Sequence, residues 1–159
     1  MSKNYLCANH RQQLQNYPKQ ALKAWSKCYE AGQSLIAMGF DYDALAHLGC
    51  AYEAAEIVLS SNYYDTFDAT TILTSSAATL AKQLAAFGQT QESANVIELT
   101  SNRIEQECVK NPELSGLLRN QLLSLKYFVG HASNDEFPLE EEHLSFYSKT
   151  NRRRPGALH

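Results

Sequence analysis

The chain has 159 residues, 44% of them hydrophobic and 19% charged, with a net charge of −3. That length suits one core and would cramp a second domain, and the charge creates no field to draw in DNA or an acidic membrane. Seven Gly and four Pro are few for a β-sandwich or barrel, which turns about every 8–12 residues.

The opening Met1-Ser2-Lys3-Asn4-Tyr5-Leu6-Cys7 holds no apolar run of signal-peptide length. No later stretch reaches the roughly 18 apolar residues of a membrane span, so a cytoplasmic protein without membrane contact is the expectation. Residues 1–16 carry Leu6 and Leu14 on a weakly patterned helix. Tyr17-Pro18 opens the first strongly patterned one, because the missing N–H of proline is harmless in a first helical turn. From Ala21 through Trp25, Cys28 and Leu35 the apolar spacing stays helical to a stop at Gly39. Asp41 is the expected N-cap of the next helix, with Asp43 in its first turn and a stripe at Ala44, Leu48, Ala51, Ala55 and Leu59.

Asp65 or Asp68 starts a third helix with Leu73, Ala77, Leu80 and Leu84 on one side, closed at Gly88. Thr90 is the expected cap of a fourth, bearing Ala94, Ile97, Ile104 and Cys108. Asn111-Pro112-Glu113 supplies cap, N1 proline and first-turn acid for a fifth, ending near Gly130. Its Leu114, Leu117, Leu118, Leu122, Leu125 and Phe128 make the cleanest apolar face in the chain. Beyond it the periodicity vanishes, so residues 1–130 read as one all-α domain and 131–159 as a tail, with room for a short helix from Leu139 to Tyr147. Strand patterning is close to absent.

Part of this pattern is written twice, 49 residues apart. Leu35, Ala37, Gly39 and Glu56 recur as Leu84, Ala86, Gly88 and Glu105, and small or apolar residues correspond between them. Glycine five residues ahead of a small residue (Gly39 with Ala44, Gly88 with Ser93) resembles the tetratricopeptide-repeat family over about residues 20–110. Gly32 with Ala51, and Ala81 with Thr100, stand at that family's other close-contact positions. The chain departs from the family at Cys28 and Ala77, where a large residue is usual, at Leu35 and Leu84, where tyrosine is, and in a period of 49 rather than about 34. The resemblance implies about five main antiparallel helices as stacked α-hairpins, with the first helix of each pair lining a groove. Carried over by position, that groove holds Ser26, Tyr29, Gln33, Ile36, Ser75 and Lys82, with Ala78 and Thr79 beside them. A subclass of the family clamps a peptide carboxylate with cations at such places; Tyr29, Gln33, Ser75 and Thr79 offer none, so that ligand is disfavoured. A closed four- or five-helix bundle without true repeats accounts for the same caps and stripes.

Chemistry-bearing patterns are sparse. Cys7, Cys28, Cys50 and Cys108 form no CxxC pair and read as small buried apolar groups. Asp43 with His47, and Glu140 with His143, have ligand spacing but lack the further acids of a metal centre, and Glu53 with Glu56 reads as a solvated face. No Gly-rich phosphate loop or nucleophile elbow occurs. The run Thr70, Thr71, Thr74, Ser75 and Ser76 is unusual on a helix and is expected to be an exposed face, the alternative being an interhelical one. Neither an enzyme nor a cofactor is therefore expected.

The expected function is a non-catalytic protein–protein interaction module: an adaptor, chaperone or regulatory subunit. The competing readings are a homo-oligomer closed by the Leu114–Phe128 face and a nucleic-acid accessory using Arg152, Arg153 and Arg154. Tyr29 is the expected aromatic anchor of the partner groove, against the competing account that it packs between hairpins.

Overall fold

The computed structural model describes residues 4–131, with side chains as far as Phe128. Every regular element among them is helical: α1 (Ala8–Asn16), α2 (Pro18–Ala37), α3 (Asp41–Ser60), α4 (Thr66–Ala86), α5 (Thr90–Lys110), a 3₁₀ turn at Pro112–Leu114, and α6 (Ser115–His131). Each helix from α2 onward packs on the next, α4 also meets α6, and α1 lies against α2 and α3. The expected short helix Leu139–Tyr147, the Glu140–His143 pair and the basic run Arg152–Arg154 lie outside the described residues.

The two glycine stops have the same geometry. Gly39 and Gly88 hold φ at 80° and 74°, a region open to glycine at no steric cost. Around them Phe40 N–H donates to Leu35 O at 2.8 Å and Gly39 N–H to Ile36 O at 2.9 Å. Gln89 N–H to Leu84 O (2.9 Å) and Gly88 N–H to Ala85 O (3.0 Å) repeat the pattern 49 residues later. This double bond closes a helix within two residues and delivers the chain at once into the next one. The turn is so short that the next helix has begun one residue earlier than the side chains suggested. Phe40 and Gln89 occupy the N-cap positions without a side-chain bond, and Asp41 and Thr90 are already helical. Asp65, by contrast, caps α4 as expected, accepting from Asp68 N at 3.1 Å. Pro112 starts a single 3₁₀ turn rather than α6 itself.

Small residues decide how closely the helices approach. A Cβ placed on Gly32 would lie 2.6 Å from Leu48 Cδ2, so α2 seats the Leu48 side chain directly on its backbone. Between α2 and α4 the contact is polar. Trp25 Nε1 donates to Ser76 Oγ at 2.8 Å, and Tyr29 OH pairs with Thr79 Oγ1 at 3.1 Å. Tyr52 OH bonds Thr100 Oγ1 (3.2 Å) between α3 and α5, and Gln121 Nε2 donates to Thr71 Oγ1 (2.7 Å) between α6 and α4. These four bonds all join residues 48 to 51 apart. The threonine–serine run is thus largely an interhelical face: Thr70 and Ser76 are buried outright.

The N-terminal segment is fixed by a buried acid, which corrects the reading of Glu53 as solvated. Glu53 is 6% exposed and its carboxylate accepts from Tyr5 N (2.9 Å), Leu6 N (2.7 Å) and Arg11 Nη2 (2.8 Å). Tyr5 lies over Gly49, where an added Cβ would stand 2.1 Å from its ring. We expect Glu53→Ala to leave two backbone donors unsatisfied and to cost about 1–3 kcal/mol. Limited proteolysis should then cut between residues 4 and 16 well before the rest; wild-type cleavage rates there would refute the anchoring role.

Trp25 and Tyr29 stack at 5.6 Å between ring centres with a 22° interplanar angle, both below 8% exposure. Trp25→Ala should cost about 3–5 kcal/mol. Tyr29→Ala should melt early with it, because its ring and hydroxyl are both spent on packing; a Tyr29→Ala protein melting at the wild-type temperature would contradict this.

Candidate functional site

The residues expected to line a groove lie on α2 and α4, two helices linked by the Trp25–Ser76 and Tyr29–Thr79 bonds, but their character differs from expectation. Ser26 is half-buried and donates to Glu30 Oε1 at 3.0 Å; Gln33 and Ile36 are half-buried, and Ile36 packs against the core. Ser75 is half-buried and its carbonyl accepts from Thr79 Oγ1 (3.0 Å), while Lys82 is exposed. Tyr29, the intended anchor, is 7% exposed. Its position beside Trp25 turns the ring into the α2–α4 contact and leaves this face without an open aromatic.

An open apolar surface lies between α5 and α6. A valley of about 710 Å³ runs between the C-terminal half of α5 and the N-terminal half of α6, lined by Glu105, Cys108, Val109, Pro112, Ser115, Arg119, Leu122 and Leu123. Val109 is 81% and Leu123 64% exposed, high values for large aliphatic side chains lying close together. The face of α6 that the sequence offered for self-association is mostly consumed inside the fold. Leu118, Leu122 and Leu125 are buried and Leu114 and Phe128 half-buried, with Leu117 left outside.

Buried polar contacts hold the valley's walls. Glu107, 3% exposed, accepts from Arg103 Nη1, from Lys110 Nζ at 3.1 Å and from Asn111 Nδ2 at 3.2 Å. Asn111 also donates to the Glu107 carbonyl at 3.1 Å, so it secures the last turn of α5 instead of capping the next helical turn. Gln121 pins α6 to α4 through Thr71, and Cys108 Sγ reaches Ser115 O at 3.9 Å across the floor. Lys126 Nζ and Glu105 Oε1 stand 3.9 Å apart, both largely exposed, a pair that contributes little. The trough is mainly apolar, with one carboxylate, Glu105, and one guanidinium, Arg119, among its lining side chains.

A smaller cleft of about 200 Å³ opens beside α1 and is lined by Arg11, Gln15, Glu56, Ile57, Ser60 and Ser61. Burial raises the Glu56 carboxyl above its ordinary value, opposed by Arg103 and by the Tyr52 hydroxyl, whose oxygen lies 3.5 Å away. Burial and the Glu56 charge likewise raise Tyr52. Glu56 is therefore not the solvated acid its spacing suggested. Asp43 and His47 are both exposed on α3, and no group of three metal-ligating side chains occurs among the described residues. No helix among them is long and apolar enough to cross a membrane.

No protein-family model matches the chain, and neither a curated protein nor a solved structure matches it.

The valley left little trace in the sequence. Val109 and Leu123 fall beside the regular stripes of α5 and α6, and an apolar residue one place off the stripe was the only signal. Glu56 gives a prediction of its own. A carboxyl raised in the folded state favours folding below its unfolded pKa, and that contribution disappears as pH rises through the folded value. Glu56→Gln should therefore gain melting temperature relative to wild type at about pH 7 and gain less at about pH 4. Paired melts at both values check it, and a difference that does not change with pH would count against the buried-acid reading.

Proposed function

We propose that this chain is a non-catalytic interaction module, an adaptor or regulatory subunit, that receives an amphipathic helix of a partner protein in the valley between α5 and α6. The observation that carries the reading is the way successive helices are seated. α5 packs on α4 and bonds α3 through Thr100, and α6 packs on both α4 and α5. Each of these helices rests against the two before it. The α5–α6 valley is the next seat in that series, apolar and bordered by Glu105 and Arg119. The recurring 49-residue turn supports a tetratricopeptide-like stack of hairpins, an architecture suited to presenting a surface.

A photo-crosslinking amino acid at Arg119, compared with one at exposed His47 on α3, tests the reading. It predicts one specific protein adduct from position 119, absent from position 47. That adduct should be lost in Leu123→Asp, which should weaken binding by at least about 1 kcal/mol while leaving the melting temperature unchanged. Equal labelling from both positions, or an adduct only to this chain's own residues 139–147, would overturn it.

A further inference from the structure

The two glycine turns lie side by side at the same ends of their helices, and the large side chains around them face water. Tyr42 in the first turn of α3 stands edge-on to Phe87 at the end of α4, with ring centres 5.6 Å apart and an 86° interplanar angle. Met38 and Phe40 flank Gly39 just ahead of Tyr42, and all four side chains are exposed. Large apolar groups gathered in water in this way mark an interaction surface rather than scattered surface residues. Charge gives that surface a preference. Asp41 and Asp43 lie in the first turn of α3 and Glu92 in that of α5, while α2 and α4 end here with no basic residue in their last turns. The negative dipole ends of α2 and α4 are met by the positive ends of α3 and α5, so the carboxylates remain as the net charge. No Lys or Arg occurs within 37–46 or 85–94, and Lys82 stands more than a helical turn before Phe87.

Aromatic rings with carboxylates beside them fit guanidinium groups, whose flat face stacks on a ring while the N–H fork meets the acid. The chain carries such groups itself. Lys149, Arg152, Arg153 and Arg154 form its basic run, outside the described residues. The 17 residues between His131 and Lys149 can span at most about 60 Å. Helices of 20 or 21 residues are about 30 Å long, so that span is enough to bring the run from the end of α6 to this face. A tethered segment meets its site at an effective concentration on the order of millimolar, which lets contacts too weak for a free peptide hold it. We propose that the chain's own basic run, Lys149–Arg154, docks on the face formed by Met38, Phe40, Tyr42 and Phe87, its arginines stacked on the rings and paired with Asp41 and Asp43. The contact uses none of the residues lining the α5–α6 valley, so a failure of either reading leaves the other in place.

The test places a diazirine-bearing amino acid at Met38, which keeps all three rings, and for comparison at exposed Tyr17, at the opposite end of α2. The full chain is irradiated as a mixture of isotopically heavy and light copies, and the adducts are mapped by mass spectrometry. The expected result is an adduct from position 38 to residues 149–155 of the same copy, at least about tenfold above that from position 17. Replacing the arginines together (Arg152→Gln, Arg153→Gln, Arg154→Gln) should cut its yield about fivefold or more, as should Asp41→Asn with Asp43→Asn. Raising the salt to about 0.5 M should lower it too, because these charges are open to solvent. The proposal is overturned if position 38 labels the basic run no more than position 17 does, if either set of substitutions or the added salt leaves the yield unchanged, or if the adducts join heavy to light copies.

Discussion

Hydroxyl groups on α4, buried at Ser76 and half-buried at Thr71 and Thr79, set the distances on which the other helices depend. Thr71, Ser76 and Thr79 each give their proton to the carbonyl four residues back in their own helix, at 2.8, 2.8 and 3.0 Å. The oxygen is then left with a free lone pair pointing outward, and a neighbouring helix supplies the donor: Trp25, Tyr29 or Gln121. A donor buried without such a partner would cost about 1–3 kcal/mol, so the helices can seat only where these oxygens meet them. Apolar stripes permit sliding by a turn. A tryptophan N–H that must find one serine oxygen does not.

The helices themselves were largely legible from residue type. The glycine stops at Gly39 and Gly88, the Asp65 cap and the leucines of α6 announced their roles through local chemistry that acts within one turn. Burial of polar residues was not legible. Glu53 has the same spacing from Glu56 as any solvated pair, and its partners Tyr5, Leu6 and Arg11 stand more than 40 residues away. A family pattern places Tyr29 outward on a lining helix, whereas the stacked Trp25 ring and the Thr79 hydroxyl draw it inward. Periodicity counts apolar residues; it cannot register a hydrogen bond whose other half lies in another helix.

The two ends of the described fold carry contrasting chemistry. At α2 and α3 the N-terminal segment docks over Gly49, with the buried Glu53 carboxylate beneath it. At α5 and α6 the polar groups are drawn inward, to Glu107 and Gln121, and apolar side chains face out. The proposed partner helix would meet the α5–α6 end.

The seat of Tyr5 also constrains how the chain acquires its fold during synthesis. Residues 5–11 leave the ribosome well before Gly49 and Glu53, the residues that receive them. Until α3 emerges, their amides have only water as partner, and Leu6 has no core to enter. This segment, made before the hairpin that receives it, is therefore among the last parts of the described fold that can settle. Its docking joins residues 48 positions apart, a loop whose closure is entropically costly until α2 and α3 have folded onto each other. The N-terminal clip thus acts as a late checkpoint: it can close only on a hairpin that has already formed correctly.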